Sequence, residues 1–327
     1  MKNKCVSTER GIACIMVIFI HCRFPGAFGG IVTAISRTAV FYFFIVSGYF
    51  SYKEDDTVFF KSLYKQTIKL IRITIVAFIL GIIWRILLAC YGSSGNLHSL
   101  VVEWTNTDKL LSLLIWQNDI ILGPYWFLLA LILCYPVCFL LRKLDRENIY
   151  LLFLLLIIVN LGVCKCCPSI SIHYYRNFWL TGLPFFSAGY YIHMITSKNE
   201  IIVSNRISIS MIIAGMVLTI SEYLFEGSKL MYAGNLLLLA GALLYALYNN
   251  KKEIKQLSYI GEQYSLYVYI LHWYIIDVLT IIARHSGVES QAFYLYCRPV
   301  LVVLGTLVLS SIYRRTSQFM SVLLKNM

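Results

Sequence analysis

Ten runs of apolar residues, separated by short polar segments, make up most of the hydropathy pattern along the chain. Each run approaches the length of about 20 residues that an α-helix needs to cross roughly 30 Å of hydrocarbon. The pattern therefore predicts an all-α fold, a polytopic membrane helix bundle of about ten transmembrane helices. The predicted helices cover residues 11–24, 31–51, 68–91, 124–141, 149–164, 178–195, 207–225, 231–249, 260–284 and 296–314.

The positive charges are distributed unequally between the two sides of such a bundle. With the N-terminus in the cytoplasm, 18 of the 28 Lys and Arg residues fall in cytoplasmic segments, 7 in external segments and 3 within helices. Cytoplasmic segments of membrane proteins carry the excess of Lys and Arg. We therefore predict a multi-pass protein of the cytoplasmic (inner) membrane with both termini cytoplasmic. The longest predicted loop, residues 92–123, falls outside and is a candidate cap over a cavity.

Composition agrees with a membrane protein and narrows the alternatives. Hydrophobic residues make up 59% of the chain and charged residues 13%, and the mean hydropathy is +0.72, values far from those of soluble domains. No polar stretch is long enough to bury a core of its own, so we interpret residues 1–327 as a single membrane domain. We expect no cleavable signal peptide, because the first apolar run carries His21 and ends without a small-residue cleavage pattern.

The net charge of +12 raises the question of an acidic partner. The cations are spread between the apolar runs, as topology and contact with anionic lipid require, so we expect the lipid bilayer as a partner and no nucleic acid. Three cysteines at positions 164, 166 and 167 have no His partner at the spacing of a metal site. We therefore predict no metal centre.

The first helix carries the strongest candidate for chemistry, in the stretch ERGIACIMVIFIHC. Arg10 and His21 are eleven positions apart, which in a helix is about 20° beyond three full turns and a rise of about 16 Å. They therefore share one face, with a permanent cation near one surface and an imidazole at mid-depth. Separately, Arg10 is explained as a positive-inside anchor and His21 as a packing residue. Together they indicate a polar path, because ionisable groups within the membrane are costly.

A second polar stripe is predicted near the C-terminal end of the chain. Ser265, Tyr269 and His272 follow i, i+4, i+7 spacing and share one helical face. Asp277 and Glu222 also lie within apolar runs and need partners. A packed polar network explains these residues as well as catalysis does, and the sequence leaves both interpretations open.

Helix two ends in Ser47, Gly48 and Tyr49. A glycine there permits close approach of another backbone or of a ligand, whereas the tyrosine also suits an interfacial aromatic belt. Trp126 lies at the outer end of helix four, where a plain interfacial anchor also explains it. Residues 180–192 combine Pro184 with two glycines, which predicts a kinked helix with close contacts.

Four cations precede and enter the third predicted helix on one stripe: Lys61, Lys65, Lys69 and Arg72. For Lys61 and Lys65 we favour a solvated face attracted to anionic lipid. Lys69 and Arg72 reach the membrane boundary, where a cationic pair suits a ligand that carries phosphate and approaches from the cytoplasm.

Taken in order, these motifs resemble acyltransferase family 3 of integral membrane proteins. The resemblance rests on Arg10-x10-His21, Arg37-x9-Ser-Gly-Tyr, Lys69-x2-Arg72, Trp126-Phe127, Pro184-Phe-Phe-x2-Gly189 and Ser265-x3-Tyr269-x2-His272, and it spans nearly the whole chain. The chain is also similar to the membrane domain of vancomycin-resistance serine racemases. Lys69 stands where the family usually has arginine, and Phe41 and Trp273 stand where prolines are usual.

The resemblance implies a ten-helix enzyme that transfers an acyl group, usually acetyl from acetyl-coenzyme A, to a hydroxyl of an envelope saccharide or a lipid-linked acceptor. Acyl-coenzyme A is then a substrate, with no tightly bound cofactor. His21 is the candidate general base or acyl carrier, and Tyr49 or Tyr269 stabilises the oxyanion. The candidate catalytic residues are His21, Arg10, Tyr49, Tyr269 and His272. The candidate donor-binding residues are Arg10, Lys69, Arg72, Ser47, Gly48 and Trp126.

Two other functions fit the same polar stripes. A transporter or flippase for an amino acid or a saccharide would line its path with such residues. A structural partner of an envelope-polymer synthase would need neither transport nor turnover. Binding or hydrolysis of acyl-coenzyme A by the purified protein distinguishes the enzyme from both.

Overall fold

The computed structural model describes residues 3–91, 97–118, 121–167, 169–198 and 204–323. Across these ranges every regular element is a helix and no strand occurs, which confirms the all-α prediction. The α-helices are α1 Lys4–His21, α2 Gly26–Ser36, α3 Thr38–Ser51, α4 Asp56–Tyr91, α5 Leu97–Thr105, α6 Thr107–Trp116, α7 Trp126–Lys143, α8 Ile149–Cys166, α9 Leu183–Lys198, α10 Asn205–Glu226, α11 Ala233–Tyr248, α12 Lys255–Gln263, α13 Ser265–His285 and α14 Ala292–Leu323. A 3₁₀ turn covers Ile172–Tyr174, and a π-helical turn, Phe178–Gly182, leads into α9.

Seven helical segments in the described part of the chain are long and apolar enough to cross a membrane. They are Gly26–Ser51, Asp56–Cys90, Trp126–Lys143, Ile149–Cys166, Asn205–Glu226, Ser265–His285 and Ala292–Thr316. The other three predicted runs are also helical, as α1, α9 and α11, of which α9 and α11 have only 16 residues each. The protein is thus a multi-pass membrane protein, and the count of ten spans stays a prediction.

Two boundaries differ from the sequence-based prediction. The segment predicted as the outer loop, 92–123, contains α5 and α6 within its described residues. The side chain of Asn106 caps the start of α6 by accepting a hydrogen bond from the backbone N–H of Lys109 at 3.0 Å. The basic segment before the third predicted helix is not a connection. It is the first part of α4, a single helix of 36 residues that begins at Asp56.

The helices form two compact units, which are considered separately. Unit 1 comprises Met1–Val40 and Val203–Met327, and unit 2 comprises Phe41–Ile202. Arg10, His21 and His272 therefore belong to unit 1, whereas Tyr49 and Lys69 belong to unit 2.

In unit 1, α1 and α12 pack with their backbones almost in contact. A Cβ atom on Gly11 would lie 2.0 Å from the carbonyl oxygen of Leu257, and one on Gly261 would lie 2.0 Å from that of Ser7. Only glycine permits this approach. Lys4 donates to Glu253 at 2.7 Å just before α12, and this hydrogen bond lowers the pKa of the Glu253 carboxyl. Because α12 leads directly into α13, the contact fixes the start of α13 beside α1.

The buried Glu222 of α10 caps another helix of unit 1. Its carboxylate accepts from the backbone N–H groups of Ala233 at 3.2 Å and of Gly234 at 2.8 Å, at the first turn of α11. A carboxylate is favourable there because it pairs otherwise unsatisfied donors and faces the positive end of the helix dipole. The structure thus gives Glu222 a packing role, one of the two explanations that the sequence left open.

In unit 2, buried amide side chains hold the π-helical turn before α9. Gln117 accepts from the backbone N–H of Phe178 at 2.7 Å, and Asn160 donates to the hydroxyl of Thr181 at 3.1 Å. These contacts satisfy polar groups that would otherwise be buried without partners. The sequence predicts a kinked helix here, and the structure instead has a π-helical turn that ends just before α9, with Pro184 in the first turn of α9.

Candidate functional site

Helix α1 and helix α13 face each other through the two polar stripes predicted from the sequence. At one end, Nη2 of Arg10 donates to Oγ of Ser265 at 2.9 Å. At the other end, the ring of His21 lies 5.2 Å from the ring of His272 and 5.3 Å from that of Trp273, measured between centroids. Both polar side chains of α1 therefore contact the same neighbouring helix, as their spacing predicts.

The two imidazoles of this pair have different environments. His21 is half-buried, whereas the side chain of His272 is 0% exposed. Nδ1 of His272 donates to the carbonyl oxygen of Val268 at 3.0 Å. The ring of Tyr269 lies 6.2 Å from that of His272, one turn away on α13. Of the two rings, only that of His21 is partly exposed.

Ser47, Gly48 and Tyr49 lie at the end of α3 in unit 2. Ser47 Oγ donates to the carbonyl of Phe43 in its own helix at 2.7 Å. The ring of Tyr49 stacks on His193 of α9 at 4.2 Å with an interplanar angle of 10°, and Nδ1 of His193 donates to the Tyr49 carbonyl at 2.6 Å. His193 was not among the residues predicted from the sequence, because no residue spacing within α9 connects it to Tyr49 on α3.

Gly48 packs against the backbone of α9 and does not face an open space. A Cβ atom there would lie 1.9 Å from the carbonyl oxygen of Phe186, and one on Gly189 would lie 1.9 Å from that of Ile45. The two glycines thus form a reciprocal close contact between α3 and α9. Close backbone approach was one of the two explanations for Gly48, and the contact predicted for residues 180–192 is confirmed.

Lys69 and Arg72 lie on α4 with their side chains exposed, as are Lys61 and Lys65 on the same stripe. Within the described residues none of these four cations forms a hydrogen bond or an ion pair. They differ in this from Arg142, which is held by carboxylates. Unpaired exposed cations are available to an anionic ligand.

Trp126 is only 5% exposed, so it is not an aromatic anchor that faces lipid. The guanidinium of Arg176 lies 5.4 Å from its ring centroid, and the ring of Phe44 lies 6.0 Å away. This cation–π contact places a positive charge beside the first residue of α7. No sequence pattern connects Trp126 with Arg176, because Arg176 is 50 residues further along the chain.

A polar cluster centred on Arg142 was also absent from the sequence-based interpretation. Its Nε donates to Asp56 at 2.7 Å and its Nη1 to Glu147 at 3.0 Å, and the hydroxyl of Tyr190 donates to the same Glu147 carboxylate. The cluster ties the starts of α4 and α8 to the end of α7 and to α9. In the sequence, Arg142 counted only as one of the cytoplasmic cations.

Within the described ranges, no group of three His, Cys, Asp or Glu side chains is placed to hold a metal ion. No curated protein and no solved structure matches the chain. The model of one family, an acyltransferase domain, matches residues 8–315, which include both polar stripes of the α1–α13 pair. The chain therefore belongs to acyltransferase family 3 and is a multi-pass membrane acyltransferase.

Proposed function

We propose that this acyltransferase transfers an acetyl group from acetyl-coenzyme A to a hydroxyl of an envelope saccharide or a lipid-linked acceptor in the cytoplasmic membrane. The observation that carries the proposal is the α1–α13 pair, in which Arg10 donates to Ser265 and the ring of His21 contacts that of His272. A partly exposed imidazole beside a second, buried imidazole suits proton transfer within a membrane.

His21 acts as the general base of the reaction. Its neutral ring takes the proton of the acceptor hydroxyl while the hydroxyl oxygen attacks the thioester carbonyl. The tetrahedral intermediate then collapses, the carbon–sulfur bond breaks, and the coenzyme A thiolate leaves with the proton from His21. Tyr269, on the helix that His21 faces, donates to the oxyanion.

Lys69 and Arg72 bind the phosphates of the donor. The support for this role is that both side chains are exposed and that neither has an ion-pair partner among the described residues. Lysine at position 69 binds phosphate as a point charge, whereas arginine at 72 offers two parallel donors.

The experiment that tests the function measures coenzyme A release by chromatography when purified protein in lipid nanodiscs is given acetyl-coenzyme A and envelope saccharides. We expect turnover by the wild type and a loss of about 10²–10⁴-fold in His21→Ala, the usual contribution of general base catalysis. His285→Ala is the matched control, because His285 is an exposed histidine at the C-terminal end of α13, away from the His21–His272 pair. Absence of turnover in the wild type, with transport of an amino acid or a saccharide, would contradict the proposal.

A further inference from the structure

One nitrogen of the buried His272 ring has no hydrogen-bond partner among the residues that the structure describes. Nδ1 contacts the carbonyl oxygen of Val268, and a carbonyl only accepts, so Nδ1 carries the proton and the lone pair of the neutral ring is on Nε2. Nε2 is buried and has no hydrogen-bond partner in the described part of the chain. An unpaired buried acceptor costs about 1–3 kcal/mol, and native proteins retain few such groups.

The groups around this lone pair limit which donor can form a hydrogen bond with it. Measured between ring centroids, the ring of His21 on α1 lies 5.2 Å from that of His272, and the rings of Tyr269 and Trp273 on α13 lie 6.2 and 6.3 Å from it. Trp273 is edge-on to both imidazoles, with interplanar angles of 77° and 85°. With 0% exposure, His272 does not touch a substrate. The donor is therefore a group of the protein, and His21 is the neighbour that gains a proton in the reaction.

We infer that His272 is a positioning residue for His21, and the inference rests on the proposed function. Once His21 has taken the acceptor proton, both of its nitrogens are donors. Nε2 of His272 accepts a hydrogen bond from the nitrogen that faces α13, while the other nitrogen faces the substrate. The proton stays on His21 and returns to the leaving thiolate, so His272 itself changes neither charge nor tautomer.

A neutral acceptor suits this position for an electrostatic reason. A carboxylate would add a permanent charge within the membrane, which is costly. An imidazole whose tautomer is fixed by a carbonyl of its own helix offers a lone pair without a net charge. It stabilises the imidazolium selectively, because a hydrogen bond to a charged donor is stronger than one to a neutral donor.

Two substitutions of similar size separate this role from packing. In His272→Gln the amide oxygen takes the place of Nε2, whereas in His272→Asn the amide takes the place of Nδ1 and no acceptor faces His21. We expect kcat to fall less than about tenfold in His272→Gln and about 10- to 100-fold in His272→Asn, the range for losing a hydrogen bond to a charged group. KM for acetyl-coenzyme A is expected to stay within twofold in both.

If His272 serves packing alone, the fall in kcat is expected to be larger in His272→Gln than in His272→Asn, or equal in the two variants. Equal losses in the two variants, a smaller loss in His272→Asn, or an effect confined to KM would overturn the inference. If either variant does not fold, ¹⁵N-histidine spectroscopy of the wild type decides, since the inference requires a protonated Nδ1 and an unprotonated Nε2 on His272. Turnover that depends on His21 but shows no contrast between the variants refutes only this inference, whereas absence of turnover in the wild type refutes the proposed function.

Discussion

The four cations Lys61, Lys65, Lys69 and Arg72 of α4 differ from other charged residues in how they are held, whereas Arg85 of the same helix is paired with Glu103 at 3.0 Å. Arg142 and Lys4 are paired with carboxylates at 2.7 Å. The stripe from Lys61 to Arg72 is exposed and, among the residues described, unpaired. Helix α4 is about 54 Å long by its 36 residues, longer than the roughly 30 Å of hydrocarbon, so part of it extends beyond the apolar layer. We therefore propose that this stripe binds the phosphate groups of the donor.

Substitution of Lys69 tests whether that charge binds the donor. We expect Lys69→Ala to raise KM for acetyl-coenzyme A about three- to tenfold with kcat within twofold, because an exposed charge contact contributes about 1 kcal/mol. Lys69→Arg is expected to keep or lower KM, since a guanidinium binds phosphate with two donors. Lys61→Ala, two turns away on the same stripe, is the control. Equal effects of Lys61→Ala and Lys69→Ala would indicate general attraction to the membrane surface.

At the scale of elements, reciprocal glycine contacts decide which helices meet. Gly11 and Gly261 bring α1 and α12 together in unit 1, and Gly48 and Gly189 bring α3 and α9 together in unit 2. In lipid, where apolar side chains gain little by leaving the solvent, close backbone packing is a main source of helix association. The stacking of Tyr49 on His193 follows from the second of these contacts.

Gly48→Ala tests whether this glycine serves packing. Its Cβ would lie 1.9 Å from a carbonyl oxygen, so α3 and α9 must separate. We expect a loss of about 1–3 kcal/mol in stability, seen as a lower melting temperature of the purified protein. Gly162→Ala, in α8, is the control, because nothing lies within 4 Å of its Cβ and alanine favours a helix. An unchanged melting temperature with a raised KM would instead favour a ligand contact at Gly48.

At the scale of the whole molecule, the number of spans decides where the termini lie. We propose ten spans, in which α1, α9 and α11 join the seven segments that are long and apolar enough by themselves. Short helices cross a bilayer where neighbouring helices cover them and the bilayer thins locally. An even number of spans places both termini on the same side of the membrane, and an odd number places them on opposite sides.

Reporter fusions distinguish these arrangements. We expect a fluorescent protein that folds only in the cytoplasm to fluoresce at either terminus, as the excess of cytoplasmic Lys and Arg predicts. A phosphatase that folds only outside is expected to be active when inserted after Gly227 and inactive when inserted after Asp145. Fluorescence at one terminus only would exclude ten spans and favour an odd number.

The sequence alone determined that the protein is an all-α, multi-pass membrane protein, because lipid constrains composition so strongly that ten apolar runs have no soluble alternative. It also determined that Arg10 and His21 share a face, since helical geometry fixes the direction of residues within one helix. Only the tertiary structure decided which residues meet from different helices. The contacts of Arg10 with Ser265, of His21 with His272, of Tyr49 with His193 and of Trp126 with Arg176 join positions about 50 to 255 residues apart. Periodicity carries no information at such separations, because it describes one helix at a time and packing joins two.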